Sequence, residues 1–490
     1  MVLKRLTLLD LYNCKSLRSL PSKFEMVSLE TLILSNCSKI ERIPEFMGNM
    51  ERLSELHLDG TAITKLPSSF ECLTNLKELS FRGCKGPPSK LLNKLCPLNI
   101  LPRRSQNPVS LLLPHLLVLG MCSLTTLDLR DCNLQSIPND IGNLSSIRYL
   151  NLNENHFCYL PESIMQLSNL SEINLRNCTG LRSLPQLPST IDWIEAVGCT
   201  SLETFPNGFE PQEFALTHLF FFDCFKLADN MLFNVLRMLL TFHQVSLSLS
   251  LSLSVYIYMS ILNIMVCMFQ EICKQSPRLG SCAAFNVVFP GSEIPKWFKH
   301  QSLGNVVNAQ VTHPNKNVNI QVPSRSSNKW IGIALCIVFS CPYYISDNYL
   351  RCRILINKHE GSDFWVGICA RSDGSKSRHL WMSYIPSQMF NENDRAVLSQ
   401  IDENGFIQME VRFRWDFFNE GIEIKKCGFR LLFEQDIEDI REMISAHDCH
   451  DFDNSTEGIK IKRSRDEYER AGASGEGSFN DVPHSKRIER

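Results

Sequence analysis

"LTLLDLYNCKSLRSLP" (Leu6–Pro21) sets leucine at positions 6, 9, 11, 17 and 20 and cysteine at 14, the frame L-x-x-L-x-L-x-x-C-x-x-L-x-x-L-P. The frame returns as "LETLILSNCSKIERIP" from Leu29 and "LSELHLDGTAITKLP" from Leu53. Looser copies begin at Leu76, Leu124, Ile147, Leu170, Ile191 and Leu216. Successive starts lie 23, 24, 23, 48, 23, 23, 21 and 25 residues apart. The double step encloses "CKGPPSKLLNKLCPLNILPRRSQNPVSLLLPHL", either a degenerate copy or a loop insertion. A fixed period of this size marks a solenoid, in which each coil buries its apolar face only against its neighbours.

The frame is that of a leucine-rich repeat. It predicts an α/β solenoid (a horseshoe) of about nine repeats over residues 1–229, irregular near 85–123. Each L-x-L lies on a short strand, so alternate residues point inward and stack on the next coil. The position three residues on needs a small polar group to satisfy backbone groups at the turn. It is held by Cys14, Cys37, Thr61, Cys84, Cys132, Asn155, Cys178, Cys199 and Cys224. A structural role is expected for these cysteines, because spacing by whole repeats does not converge metal ligands.

Residues flanking the strand leucines face the concave side: Asp10, Tyr12, His57, Asp59, Arg82, Asp128 and Arg130, then Tyr149, Glu154, Arg176, Trp193, His218, Phe220 and Phe222. The last seven are the candidate protein-binding residues, since aromatics concentrate at binding hot spots. Two readings of the aromatic cluster stay open: an exposed contact surface, or packing against the following domain. Solenoids need capped ends, and Leu3, Leu6, Leu9 and Leu11 enter a repeat at once. The expectation is that a preceding part or a partner covers that edge.

The chain has 490 residues, 44% of them hydrophobic, and a formal charge of −2. That balance argues against direct nucleic-acid binding driven by phosphate attraction. Twenty cysteines without a CxxC pair or a secretory leader read as reduced thiols, placing the chain in the cytoplasm or nucleus. From about residue 283 the leucine frame gives way to "FNVVF", "WIGIALCIVF", "CRILI", "FWVGICA", "FIQMEVRFRW" and similar runs, about eight strands that read as an antiparallel sandwich over 283–437. Residues 438–490 are charged and aromatic-poor, the composition of a disordered tail. Lys460, Lys462, Arg463 and Arg465 there are either a nuclear signal or a solvated cluster.

"FPGSEIPKWFKHQSLG" (Phe289–Gly304), "WIGIALCIVF" and "KKCGFRLLFEQD", with repeat endings such as "NCTGLRSLP", resemble plant TIR-NB-LRR disease-resistance proteins. The match is to their leucine-rich repeats and their C-terminal jelly-roll/Ig-like domain (C-JID). Pro290, Gly291, Glu293, Pro295, Trp297 and Phe298 carry the family motif. The resemblance implies an intracellular innate-immune receptor fragment. Its repeats and C-terminal domain would recognise a pathogen effector protein and help restrain a nucleotide-binding domain. The family's TIR and nucleotide-binding domains are not matched, and no G-x-x-x-x-G-K-[ST] occurs. The chain as given is expected to be non-catalytic, with no cofactor and no metal. Rival readings are a truncated decoy isoform, a membrane-tethered repeat protein, or part of a longer NAD-hydrolysing receptor. "HDCHDF" (His447–Phe452) is a weak metal candidate without a second ligand cluster.

Residues 230–282 read as a linker. Within it, "VSLSLSLSLSVYIYM" (Val245–Met259) belongs to a run, Met238–Gln270, free of Asp, Glu, Lys and Arg over 33 residues. A bilayer span is long enough to fit, but strict alternation suits a strand. A (TC)n repeat encodes Ser-Leu and a (TA)n repeat encodes Tyr-Ile. Excising 245–270 keeps the frame and leaves "LLTFHQEICKQSPRLG", so the reading preferred over the membrane span is a retained intron.

Overall fold

The computed structural model describes residues 5–21, 23–24, 26–46, 50–85, 108–118, 121–206, 217–227, 231–240, 285–312, 330–340, 344–356, 363–371, 377–390, 406–416 and 423–447. The Ser-Leu run and residues 448–490 lie outside them. Residues 1–437 form one unit and 438–490 another.

Each repeat contributes one short strand: β1 (Leu8–Asp10), β3 (Thr31–Ile33), β5 (Glu55–His57), β6 (Glu78–Ser80), β7 (Thr126–Asp128), β8 (Tyr149–Asn151), β9 (Glu172–Asn174), β10 (Trp193–Glu195) and β11 (Thr217–Phe220). A small outer pair, β2 (Lys23–Phe24) and β4 (Glu45–Phe46), runs beside the first coils. The nine strands pair in parallel and in order. Their central residues Leu32, Leu56, Leu79, Leu127, Leu150, Ile173, Ile194 and Leu219 are buried. β6 pairs directly with β7, Glu78 against Thr126. The double step is therefore an insertion, and its helix Pro108–Val118 buries Leu112, Leu113, Leu116 and Leu117.

The outer side departs from the α/β expectation. Ser68–Cys72, Asn139–Asn143 and Glu162–Gln166 are 3-10 turns of five residues. A coil of some 23 residues leaves too little chain for a full α-helix between strands.

Two devices hold most of the turns. Thiols of Cys37, Cys84, Cys132, Cys178, Cys199 and Cys224 donate to carbonyls of the preceding coil at 2.9–3.2 Å. Asn155 does the same through Nδ2 to Leu129 (2.9 Å), while its Oδ1 accepts the Leu134 N–H. Burial raises the pKa of Cys84, Cys132 and Cys178, keeping these thiols protonated as donors. Cys14, in the first coil, is exposed instead. The residue just before the ladder position is always left-handed: Asn13, Asn36, Gly60, Gly83, Asp131, Glu154, Asn177, Gly198 and Asp223 have φ between 55° and 74°. Asn, Asp and Gly tolerate that region; glutamate does not share their advantage. Glu154→Asn is expected to raise stability by about 0.5–1 kcal/mol, read from urea midpoints.

β12 (Phe285–Pro290) continues the same sheet, parallel to β11, with Thr217 against Phe285 and Phe220 against Val288. Beyond it come β18 (Arg378–Pro386), β15 (Trp330–Ser340), β20 (Glu423–Phe433) and β13 (His300–Leu303), all antiparallel, giving fourteen strands in one sheet. A second antiparallel sheet contains β14 (Val306–Thr312), β19 (Phe406–Asp416), β16 (Tyr344–Ile356) and β17 (Asp363–Arg371). One apolar core joins the two sheets: Ile333, Leu335, Ile337 and Phe339 of β15 and Phe429 of β20 meet Leu350, Cys352 and Ile354 of β16 and Val411 and Phe413 of β19. Phe220 and Phe222 belong to that core.

Two expected boundaries need correction. The linker's first stretch is a helix over 231–240 with Met231, Val235, Leu236, Met238 and Leu239 buried. The charged tail does not begin as a disordered segment either, because a helix spans 436–447 and buries Ile437, Ile440 and Ile444. That i, i+3, i+7 stripe is the signature of an amphipathic helix, and the surrounding charges masked it.

Candidate protein-interaction face

Parallel pairing lines the face residues into columns. One column runs Thr31, Glu55, Glu78, Thr126, Tyr149, Glu172, Trp193, His218 and Asn286, each in register with the next. Several polar members of this face are tied up internally. Asp59 accepts hydroxyls from Ser35 (3.1 Å) and Ser80, and the Arg82 N–H at 3.0 Å. Asp128 accepts the Arg130 N–H and pairs with its guanidinium, both at 3.0 Å, while burial raises its pKa. Arg176 pairs with Glu195 at 3.2 Å, and its N–H donates to Asn153 Oδ1 at 2.6 Å.

The seven candidates do not share one environment. Tyr149 is 47% exposed, and Glu154 is exposed on the rim. Phe220 and Phe222 are fully buried, so of the two readings left open these two residues follow packing against the following domain and not an exposed contact surface. In strand register Phe220 faces the same way as Val288, so the second sheet covers both. Trp193 stands at the boundary, partly buried, 5.0 Å from Phe220 and 5.2 Å from His218. The open face therefore ends at Trp193.

His218 is packed between these rings, and burial lowers its pKa from 6.5 to about 4. Between those values the unfolded chain binds a proton that the folded chain excludes, so stability falls as pH drops through this window. The loss by pH 4 is expected to be at most about 3 kcal/mol. Unfolding titrations at pH 4 to 7 should show this slope, flattened in His218→Gln.

A polar clasp that no motif announces joins the last coil to β18. Left-handed Asp223 offers its N–H to His379 Nε2 at 3.2 Å, and Ser377 donates its hydroxyl to Asp223 Oδ1 at 2.8 Å. Ser377 and His379 lie 154 and 156 residues beyond Asp223 in sequence.

The motif residues Pro290, Gly291, Glu293, Pro295, Trp297 and Phe298 pin the segment after β12 against β20. Glu293 pairs with Lys426. The Trp297 carbonyl accepts from Arg430 at 3.1 Å, whose guanidinium lies 4.8 Å from the Trp297 ring. Gln301 Nε2 donates to the carbonyls of Pro295 (3.2 Å) and Phe298 (2.9 Å). A Cβ at Gly291 would collide with Leu380. These contacts hold the fold together: Pro290, Trp297 and Phe298 are buried, and Glu293 is exposed. Among the described residues, no group of three or more His, Cys, Asp or Glu is placed to hold a metal ion. No described helix is long and apolar enough to cross a membrane. Most of the "HDCHDF" candidate lies outside the described residues.

The C-JID domain family matches residues 289–438, and leucine-rich-repeat families match 28–50 and 122–179. Disease resistance-like protein DSC1 of Arabidopsis thaliana is 31% identical over 462 residues, covering 89% of this chain and 33% of its own length. Disease resistance protein RPS4B of the same plant is 27% identical, covering 87% and 34%. TMV resistance protein N of Nicotiana glutinosa is 28% identical, covering 67% and 24%. A leucine-rich-repeat protein of Leptospira interrogans aligns with 48% of this chain and 94% of its own, at 16% identity and a TM-score of 0.20.

The fold and these matches define a leucine-rich-repeat protein carrying a C-JID domain. Its relatives over most of its length are the plant TIR-NB-LRR disease-resistance proteins. The chain spans about a third of the length of the first two.

Proposed function

We propose that this chain is the sensing portion of a plant innate-immune receptor. It binds a pathogen effector protein through the concave repeat face and the C-terminal domain, which we read as a jelly-roll/Ig-like sandwich, and it does no chemistry of its own. The observation that carries this reading is the single sheet running from β1 through β12 into β13, with the second sheet rising at Trp193. Repeats and C-terminal domain are thereby joined through one continuous sheet. Interface energy concentrates in a few aromatic and arginine anchors, and Tyr149 is the exposed aromatic on the open floor nearest that wall.

A nucleotide-binding domain of the same receptor is the second partner in this reading, and the compartment is the cytoplasm or nucleus. Reduced thiols support that compartment, because ladder cysteines that donate to backbone carbonyls lose those bonds on oxidation. The test is affinity measurement between the full chain and a panel of effectors from pathogens that its host resists. At least one should bind and lose about tenfold affinity with Tyr149→Ala. If none binds, or if every bound effector ignores Tyr149→Ala and Arg176→Ala, the reading fails.

A further inference from the structure

One flank of the solenoid, at the C-terminal ends of its strands, is basic over the first three coils. Between the ladder residue and the closing proline of these coils, Lys15, Arg18, Lys39, Arg42 and Lys65 are exposed, and Glu41 is the one acid. Arg42 and Lys65 stand opposite each other on neighbouring coils, with their backbones about 4.8 Å apart. Like charges placed directly opposite are unfavourable. Among the described residues none of the five cations forms an ion pair. Lys85 and Lys226, on the same flank of later coils, are paired with Asp131 and Glu203. Glu45, just past Pro44, is taken up instead by the Ser68 hydroxyl (3.2 Å) and the Ser69 N–H (3.0 Å). At the equivalent bridging positions of later coils stand the uncharged Tyr159, Ser183 and Thr204.

The kind of anion this flank suits follows from what accompanies the cations. No aromatic stands among these positions of the first three coils, so bases have nothing to stack on. Protein interfaces are built on aromatic and arginine anchors and are poor in lysine, whereas three of the five cations are lysine. An anionic bilayer asks only for cations held near its headgroups, each worth about fivefold in affinity. We infer that Lys15, Arg18, Lys39, Arg42 and Lys65 form a docking surface for the headgroups of an anionic lipid bilayer. The solenoid lies on the membrane by this flank and does not enter it. The concave floor stays open, because its strands precede the left-handed residue at which each coil turns onto the flank. This goes beyond the effector reading and does not depend on it.

The test is sedimentation of the full chain with vesicles of phosphatidylserine and phosphatidylcholine in a ratio of about 1:2, and with vesicles of phosphatidylcholine alone. The chain should bind the first at least tenfold more tightly, and raising salt from about 0.05 to 0.5 M should release it. Arg42→Gln/Lys65→Gln should weaken binding about 25-fold, two steps of about fivefold. Arg52→Gln/Lys77→Gln, on the opposite flank where the chain enters β5 and β6, should change it less than twofold. All four residues are exposed, and an unaltered thermal transition confirms that each variant folds. Affinities for duplex DNA and for a glutamate nonapeptide, measured alongside, should be at least tenfold weaker than for the anionic vesicles. The inference is overturned if phosphatidylserine makes no difference, or if the opposite-flank variant weakens binding as much as Arg42→Gln/Lys65→Gln. It is overturned equally if DNA or the glutamate peptide binds as tightly as the vesicles, since the flank would then serve a nucleic acid or an acidic protein.

Discussion

Phe222→Ala is expected to destabilise the chain by about 3–5 kcal/mol, the usual cost of emptying a buried phenylalanine site. Phe222 has no exposed surface, stacks on Phe220 at 6.5 Å, and meets Phe339 edge-on at 6.2 Å and His379 at 5.0 Å. It is thus a repeat residue whose neighbours belong to β15 and β18. The cavity would open beside the Asp223–Ser377–His379 clasp, loosening two joints together. Denaturant unfolding should show a lower midpoint. Hydrogen exchange should rise first at β11 and β12, where the two parts share backbone hydrogen bonds. A loss below about 1 kcal/mol, with exchange unchanged at β12, would mean that the repeat coils do not depend on this contact.

Asp436→Ala should cost a similar amount, about 3–5 kcal/mol, because removing one partner strands a buried charge. Arg430 and Asp436 are 8% and 7% exposed at the side chain and 2.6 Å apart. The other Asp436 oxygen accepts the Phe433 N–H at 2.9 Å, closing the turn after β20. Arg430 meanwhile donates to the Trp297 carbonyl. A double variant, Arg430→Met/Asp436→Ala, should recover part of the loss, since an apolar pair no longer buries an unmatched charge. Equal stabilities for the single and double variants would show the guanidinium to be solvated instead.

The solenoid was readable because leucine spacing is a local, repeated signal, and every coil's strand falls where the L-x-L frame puts it. The frame also marks which side chains leave the sheet on the side away from the leucines, among them Trp193 and Phe220. What covers that face is a matter of tertiary packing, and no repeat rule shows that β16 and β19 stand over Phe220 but stop short of Tyr149. The left-handed column was legible in principle: eight of the nine ladder residues follow Asn, Asp or Gly, the seven cysteines as "NC", "GC" or "DC" and Thr61 after Gly60. The cysteines are the more conspicuous member of each such pair, although the residue before them sets the backbone. The clasp at Asp223 had no sequence signal, because its partners come from a strand reached only after the whole intervening chain has folded.

The insertion between β6 and β7 has a consequence for how such a chain can change. The sheet steps from Glu78 to Thr126 in the same register as any other neighbouring pair, although the repeat starts there are 48 residues apart. Lengthening a loop raises its closure cost only logarithmically. New material can therefore enter at this seam while the coils on either side keep their fit. It is a docking bay in the scaffold, where a lineage can trial extra sequence, or an engineer can graft a reporter, and leave the recognition floor undisturbed.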